Sequence, residues 1–120
     1  MLPVIIESPF GAEDLATVER NIRYARACMR YALLNGAAPY ASHLLYTQPG
    51  VLCDWVAEER QHGIEAGQVL GDLMAETWVF TDLGISKGME YGIKRAEEKG
   101  RLIRRIQLGP NGETRLKTFV

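Results

Sequence analysis

The side chains able to do chemistry gather in three short stretches. His43 follows the apolar segment Ala37 to Ala41. Its imidazole suits a phosphate, a ribose hydroxyl or proton carriage near neutral pH, and equally a backbone hydrogen bond that orders its loop. Ser42 stands beside it, and Tyr46, Thr47 and Gln48 add uncharged hydrogen-bonding groups fitted to a neutral sugar or base, or to tying the loop down. Ser8 and Gly11 flank a turn from strand to helix, where backbone N–H groups and a helix end can hold a phosphate. Asp82 ends the central and clearest strand and either binds a ribose hydroxyl or caps the turn that follows. Glu90 stands four residues before Lys94, a spacing that by itself gives an exposed pair on one helix face. There is no Gly-x-Gly-x-x-Gly and no P-loop, which excludes a P-loop ATPase. Cys28 and Cys53 lack metal-ligand or redox spacing, so neither a metal nor a cofactor is expected.

An alternation of strands and helices must position these groups. Val4-Ile5-Ile6-Glu7 reads as a buried strand ended by Ser8-Pro9-Phe10-Gly11. Leu15, Val18, Ile22, Ala25, Met29 and Leu33 give a helical stripe within Glu13 to Leu34, and Asn35-Gly36 stops it. Ala37 to Ala41 is a short strand whose Pro39 limits its ladder bonding, followed by a loop from Ser42 to Cys53. Asp54 is the expected N-cap of a second helix reaching about Ala75. Thr77 to Thr81 is the clearest strand. A third helix starts near Ser86 with Met89, Ile93 and Ala96 inward, and ends at Gly100. Arg101 to Leu108 completes the strands, and Gly109-Pro110-Asn111-Gly112 is a turn before the tail. The pattern predicts a single three-layer α/β domain over 1–108, with a tail over 109–120. Its mainly parallel sheet of four to five strands carries helices on both faces. Ligands bind such sheets beyond the carboxyl ends of the strands, which selects the loops Glu7–Gly11, Ser42–Gln48 and Asp82–Glu90.

At 120 residues and 13.4 kDa the chain is one domain, large enough to bury roughly two-thirds of its unfolded surface. Fourteen Lys and Arg against fifteen Asp and Glu leave a net charge of −1, so there is no general field for nucleic acid or an anionic membrane. No membrane span or leader peptide is expected, and a reducing, cytoplasmic setting fits the two cysteines. Gly63, Gly67 and Gly71 recur every fourth residue on the second helix, each costing about 1 kcal/mol relative to Ala. Such a stripe points to a close approach, either within the chain or, as favoured here, in a homo-oligomer. Trp55 and Trp78 are expected in the core or an interface, and His62 and the basic run Lys99, Arg101, Arg104 and Arg105 on solvated faces.

The segment Gly88-Met89-Glu90-Tyr91-Gly92 resembles the Gly-x-Glu-x-Gly helix start of the nucleoside 2-deoxyribosyltransferase-like family. Ser8-Pro9-Phe10, Glu19-Arg20-Asn21-Ile22 and Pro39-Tyr40-Ala41-Ser42-His43 resemble a small bacterial and phage branch of it, over about residues 3 to 106. The resemblance implies a flavodoxin-like domain, host-cytoplasmic if phage-encoded, that cleaves or transfers at an N-glycosidic bond. Glu90 would be the nucleophile that displaces the base at C1′, with Glu65 on the preceding helix, or else Asp82, assisting. Ser8, Pro9, Phe10, Gly11, Ser42, His43, Asp82, Gly84, Ser86, Gly88 and Met89 would line a nucleoside or nucleotide. The alternative on the same pocket is a non-catalytic binder of a nucleotide or nucleotide signal.

Overall fold

Period-2 alternation decides how the first strand packs. In β1 (Leu2–Glu7) Val4 and Ile6 are buried on one face, and Ile5 and Glu7 project from the other. The computed structural model describes residues 1–110 and builds four strands, with β2 (Ala37–Tyr40), β3 (Glu76–Phe80) and β4 (Leu102–Ile106) completing an all-parallel sheet in the order β2-β1-β3-β4. Pro39 sits in an edge strand, where its missing N–H costs least. The Gly109–Gly112 turn and the tail fall largely or wholly outside the described residues.

The sheet order carries the functional consequence. From β1 the chain steps one way to β2, then returns past β1 to β3, so the winding reverses between β1 and β3. A crevice opens at the carboxyl end of the sheet at such a reversal. The ends that meet there are Glu7–Ser8 and Thr81–Ser86.

Helix α1 (Leu15–Leu34) covers one face. Asp14 caps it by accepting Thr17 N–H at 2.7 Å, and Tyr24, Ala27, Cys28 and Ala32 pack on Val4, Ile6, Trp78 and Phe80. Helix α4 (Lys87–Glu98) covers the opposite face, where Met89 and Ile93 meet Val79 and Ile103. Gly100, at φ 68°, turns the chain out of α4 in the left-handed conformation that Gly tolerates.

Three expectations change. The Ser42–Cys53 loop contains a short helix, α2 (Ser42–Leu45). Helix α3 spans Ala57–Gly71 rather than starting after Asp54, because Val56 N–H first closes a turn onto Cys53 O and the Glu59 carboxylate accepts Cys53 N–H at 3.0 Å. Trp55 is 86% exposed, whereas Trp78 joins the core.

The glycine stripe of α3 is used within the chain. A Cβ would stand 3.3 Å from Leu52 Cδ1 at Gly63, 3.1 Å from Ser42 Oγ at Gly67 and 3.2 Å from Ile5 Cδ1 at Gly71. The glycines let α3 settle onto α2 and β1 on the α4 side of the sheet. That accounts for their spacing without a second subunit.

Candidate functional site

Most of the polar residues expected to bind ligand are spent on holding the loops. Ser8 is buried, and its Oγ lies 3.0 Å from His43 Nε2, which joins the loop after β1 to α2. A Ser–His contact is the first element of an activated nucleophile. Here, however, the hydroxyl is covered and no carboxylate of the described residues orients the ring. Burial lowers the His43 pKa to about 4, so the imidazole is neutral at pH 7. Phe10 packs edge-on against it, and its own carbonyl accepts Asn21 Nδ2–H at 2.9 Å. Thr47 Oγ1 donates to His43 O, Gln48 donates to Leu45 O, and Tyr40 donates to Tyr46 Oη. The neutral groups after β2 thus tie their own loop, and buried Pro9 packs beside Ser8.

Asp82 is engaged within the fold, but with distant partners rather than as a cap of the turn that follows it. Its carboxylate accepts Tyr24 O–H at 2.6 Å, Leu108 N–H at 3.0 Å and Gly109 N–H at 2.9 Å. Burial works to raise its pKa, but these hydrogen bonds hold the carboxyl below the usual range. It clamps the exit of β4 to α1. Gly84, at φ 86°, then bends the loop into α4. Ser86 caps that helix, accepting Met89 N–H at 3.3 Å, and Met89 is core. Gly88 is exposed on the first turn.

Glu90 is exposed on the first turn of α4, beside the reversal of the sheet. No side chain of the described residues pairs with it, and the Lys94 salt bridge does not form. Glu65 is a surface residue of α3 that accepts Gln61 Nε2–H at 3.3 Å, so no contact joins it to Glu90.

The seam between α3 and α4 holds a group that pattern reasoning passed over. Glu7 shares the α4-facing side of β1 with Ile5. Its carboxyl lies against Gly92, where a Cβ would overlap Oε2 and Cδ and stand 2.8 Å from Oε1. No hydrogen bond or ion pair from the described residues reaches it. Burial pushes its pKa up to about 8, against the attraction of Arg101, whose guanidinium is committed to Thr77 Oγ1 and Gly71 O. Glu7 nonetheless keeps part of its surface open, so it is enclosed without being sealed. On the solvent side Gln68 Nε2 donates to Tyr91 Oη at 2.9 Å, joining the two helices. The signal in the sequence was one acidic residue ending the apolar run Val4-Ile5-Ile6.

Hollows lined by the described residues lie on both faces of the sheet. One of about 100 Å³ lies between α2 and α3 and is lined by Ser42, His43, Tyr46, Thr47, Asp54 and Gly63 among others. Ordinary ligand pockets occupy roughly 300–1,000 Å³, so this one can seat only part of a ligand. The other, about 610 Å³, lies over Trp78 and β4, where α1 leaves the sheet bare, and reaches the amino ends of β1 and β2. None of the described residues covers this part of the sheet face, which is remote from the reversal. Among the described residues no group of three or more His, Cys, Asp or Glu could hold a metal ion, and no helix is long and apolar enough to cross a membrane.

Residues 2–106 match the family described as Domain of unknown function (DUF7768), and the chain belongs to that family. Compared with curated proteins and with solved structures, it matches none.

Proposed function

We propose that the chain binds a nucleoside or nucleotide at the carboxyl end of its sheet and cleaves or transfers at the N-glycosidic bond, with Glu90 as nucleophile. The observation that carries this reading is the state of Glu90. It is an exposed carboxylate at the α4 start, next to the β1/β3 reversal and unpaired among the described residues, whereas Asp82, Ser8 and His43 are all engaged within the chain. The resemblance of Gly88-Met89-Glu90-Tyr91-Gly92 to the deoxyribosyltransferase-like helix start supplies the chemistry. In that chemistry the Glu90 carboxylate attacks C1′ and the base leaves with the bonding pair and takes up a proton. Water or a second base then displaces Glu90 from the glycosyl ester. Assistance from Glu65 is not part of the proposal, since that side chain is engaged elsewhere on the surface of α3. A homo-oligomer that completes the site from a neighbouring copy, in a cytoplasmic setting, belongs to the same reading.

The second reading is a non-catalytic nucleotide binder, favoured by how many candidate polar groups serve the fold. One experiment separates the two. The pure protein is incubated with ribo- and deoxyribonucleosides and their monophosphates, and free base is followed by chromatography. Release that disappears in Glu90→Ala supports the enzyme. Ligand that is retained but recovered intact supports the binder.

A further inference from the structure

We infer that the outward face of α3 is an interface with a second copy of this chain, the two helices pairing antiparallel through Ala66, Val69, Leu70 and Leu73. The inference goes beyond the enzymatic reading, since it needs neither a ligand nor Glu90, and it names a surface for the homo-oligomer of that reading.

Helix α3 carries two stripes, and its own chain uses one. Gly63, Gly67 and Gly71 face inward, where they admit Leu52, Ser42 and Ile5, and Gly71 is the one buried residue of the helix. Ala66, Val69 and Leu70 recur at the three- and four-residue steps that line one helix face. Leu73 extends the row into the turn that closes α3, where its N–H donates to Leu70 O at 3.0 Å. On a helix of 3.6 residues per turn this row lies about 110° around from the glycines. Val69 is 66% exposed, Leu70 37% and Leu73 72%, and none of the three joins a core cluster of the described residues. A helix on the surface of a domain ordinarily turns its large apolar side chains to the core and its polar ones outward. Here the large apolar ones face out and the glycines face in. Side by side they present a few hundred Å² of apolar surface, the size at which a patch marks an interaction site.

Two features commit this face to a second copy. The first is that the row is complementary to itself. In an antiparallel pair with its two-fold axis between residues 69 and 70, Ala66 of one protomer faces Leu73 of its partner, and Val69 faces Leu70. Small meets large at both ends, and one patch serves both copies, as a closed isologous contact requires. The second feature is charge. The border of the row toward α4 carries exposed Glu58 and Glu65 in the first half of the helix. Past its end Asp72 is bridged by Arg95 at 3.0 Å and Lys99 at 3.8 Å, two cations on one carboxylate, so that end of the border is positive. Antiparallel pairing brings the acidic half of one border beside the basic end of the other, whereas a parallel pair would set like charges together. Stable interfaces cover about 800 Å² per partner. The row therefore forms the apolar centre and the charged border the rim, which places the association in the reversible, micromolar range.

Sedimentation velocity of the pure chain, from about 1 to about 500 μM and without ligand, tests this. Wild type should pass from monomer to dimer over that range. Val69→Glu and Leu73→Glu put a charge on exposed positions, so each should keep its thermal midpoint near that of wild type and raise Kd about tenfold or more. Leu34→Glu changes a comparably exposed leucine on α1, across the sheet, and should leave Kd unchanged. Raising sodium chloride from about 0.05 to about 0.3 M should weaken the dimer by screening the opposed borders; a dimer that tightens would overturn the antiparallel order. Wild type that stays monomeric throughout would overturn the inference, even if another protein bound this face. So would a dimer that both α3 variants leave intact, or one that Leu34→Glu disrupts equally. Free-base release is read separately, so none of these results bears on Glu90.

Discussion

Glu7→Gln is the perturbation whose effect on stability can be worked furthest. The Glu7 pKa rises from 4.5 to about 8 on folding, so the folded chain holds a proton that the unfolded chain releases. That contribution is fully present below pH 4.5 and is lost as pH rises to about 8. A shift of that size corresponds to at most about 5 kcal/mol, and the partial exposure of Glu7 reduces it to an expected 2–3 kcal/mol or so. His43 acts with the opposite sign. Its pKa falls from 6.5 to about 4 on folding, so its contribution is present above pH 6.5 and is lost as pH falls toward 4. The two slopes oppose each other between pH 4.5 and 6.5, which leaves Glu7 alone in the window from 6.5 to 8. Urea unfolding of wild type should therefore show a midpoint that is nearly level from pH 5 to 6.5 and then falls, at constant m-value. Glu7→Gln should remove the fall and exceed wild type at pH 8.5 by about 2 kcal/mol. Parallel wild-type and Glu7→Gln curves above pH 6.5 would refute the reasoning. So would a variant less stable by the same amount at every pH, because Glu7 would then be an ionised, paired carboxylate.

The remaining predictions concern the frame and the nucleophile. Tyr24→Phe removes the hydroxyl that both donates to Asp82 Oδ1 and accepts Asp82 N–H, and should cost about 1–3 kcal/mol in chemical denaturation; a loss below about 0.5 kcal/mol would contradict the clamp. Gly67→Ala should lower the thermal midpoint, since the Ser42 contact at 3.1 Å outweighs the roughly 1 kcal/mol helix gain. A raised midpoint with an altered sedimentation coefficient would return the stripe to an oligomer contact. Glu90→Ala should leave stability within about 0.5 kcal/mol of wild type, as its exposure requires, while free-base release is abolished. Ser8→Ala strips His43 Nε2 of its partner and should cost about 1–3 kcal/mol by the same urea assay.

The sheet was legible because apolar runs, Gly stops and a capping serine each act locally. Val4-Ile5-Ile6, Thr77 to Phe80, Ser86 and Gly100 all fall where pattern and capping chemistry put them. The start of α3 was not legible, because the group that organises it is Glu59 reaching back to Cys53, a contact invisible to an N-cap rule applied to Asp54. The glycine stripe announced a close approach but not its partner, since Ser42 and Ile5 meet α3 only after the chain has crossed β1. Around the candidate site the difficulty was the same in kind. Asp82, Ser8 and His43 have the right types for ligand contact, yet their partners, Tyr24 foremost, come from distant parts of the chain. Glu7 was hidden for the converse reason: a charged residue at a strand end reads as the edge of a core, and only the packing of its carboxyl against Gly92 shows that it turns under α4.

The central claim is that Glu90 attacks the anomeric carbon, and mass spectrometry tests it most directly. The protein would be incubated with 2′-fluoro-2′-deoxyribonucleosides, in which the fluorine slows breakdown of a glycosyl ester, then quenched with acid and digested. The account predicts a fluorodeoxyribosyl adduct on the peptide carrying Glu90, with one equivalent of free base released. Base release without an adduct, or an adduct on any other residue, would contradict it.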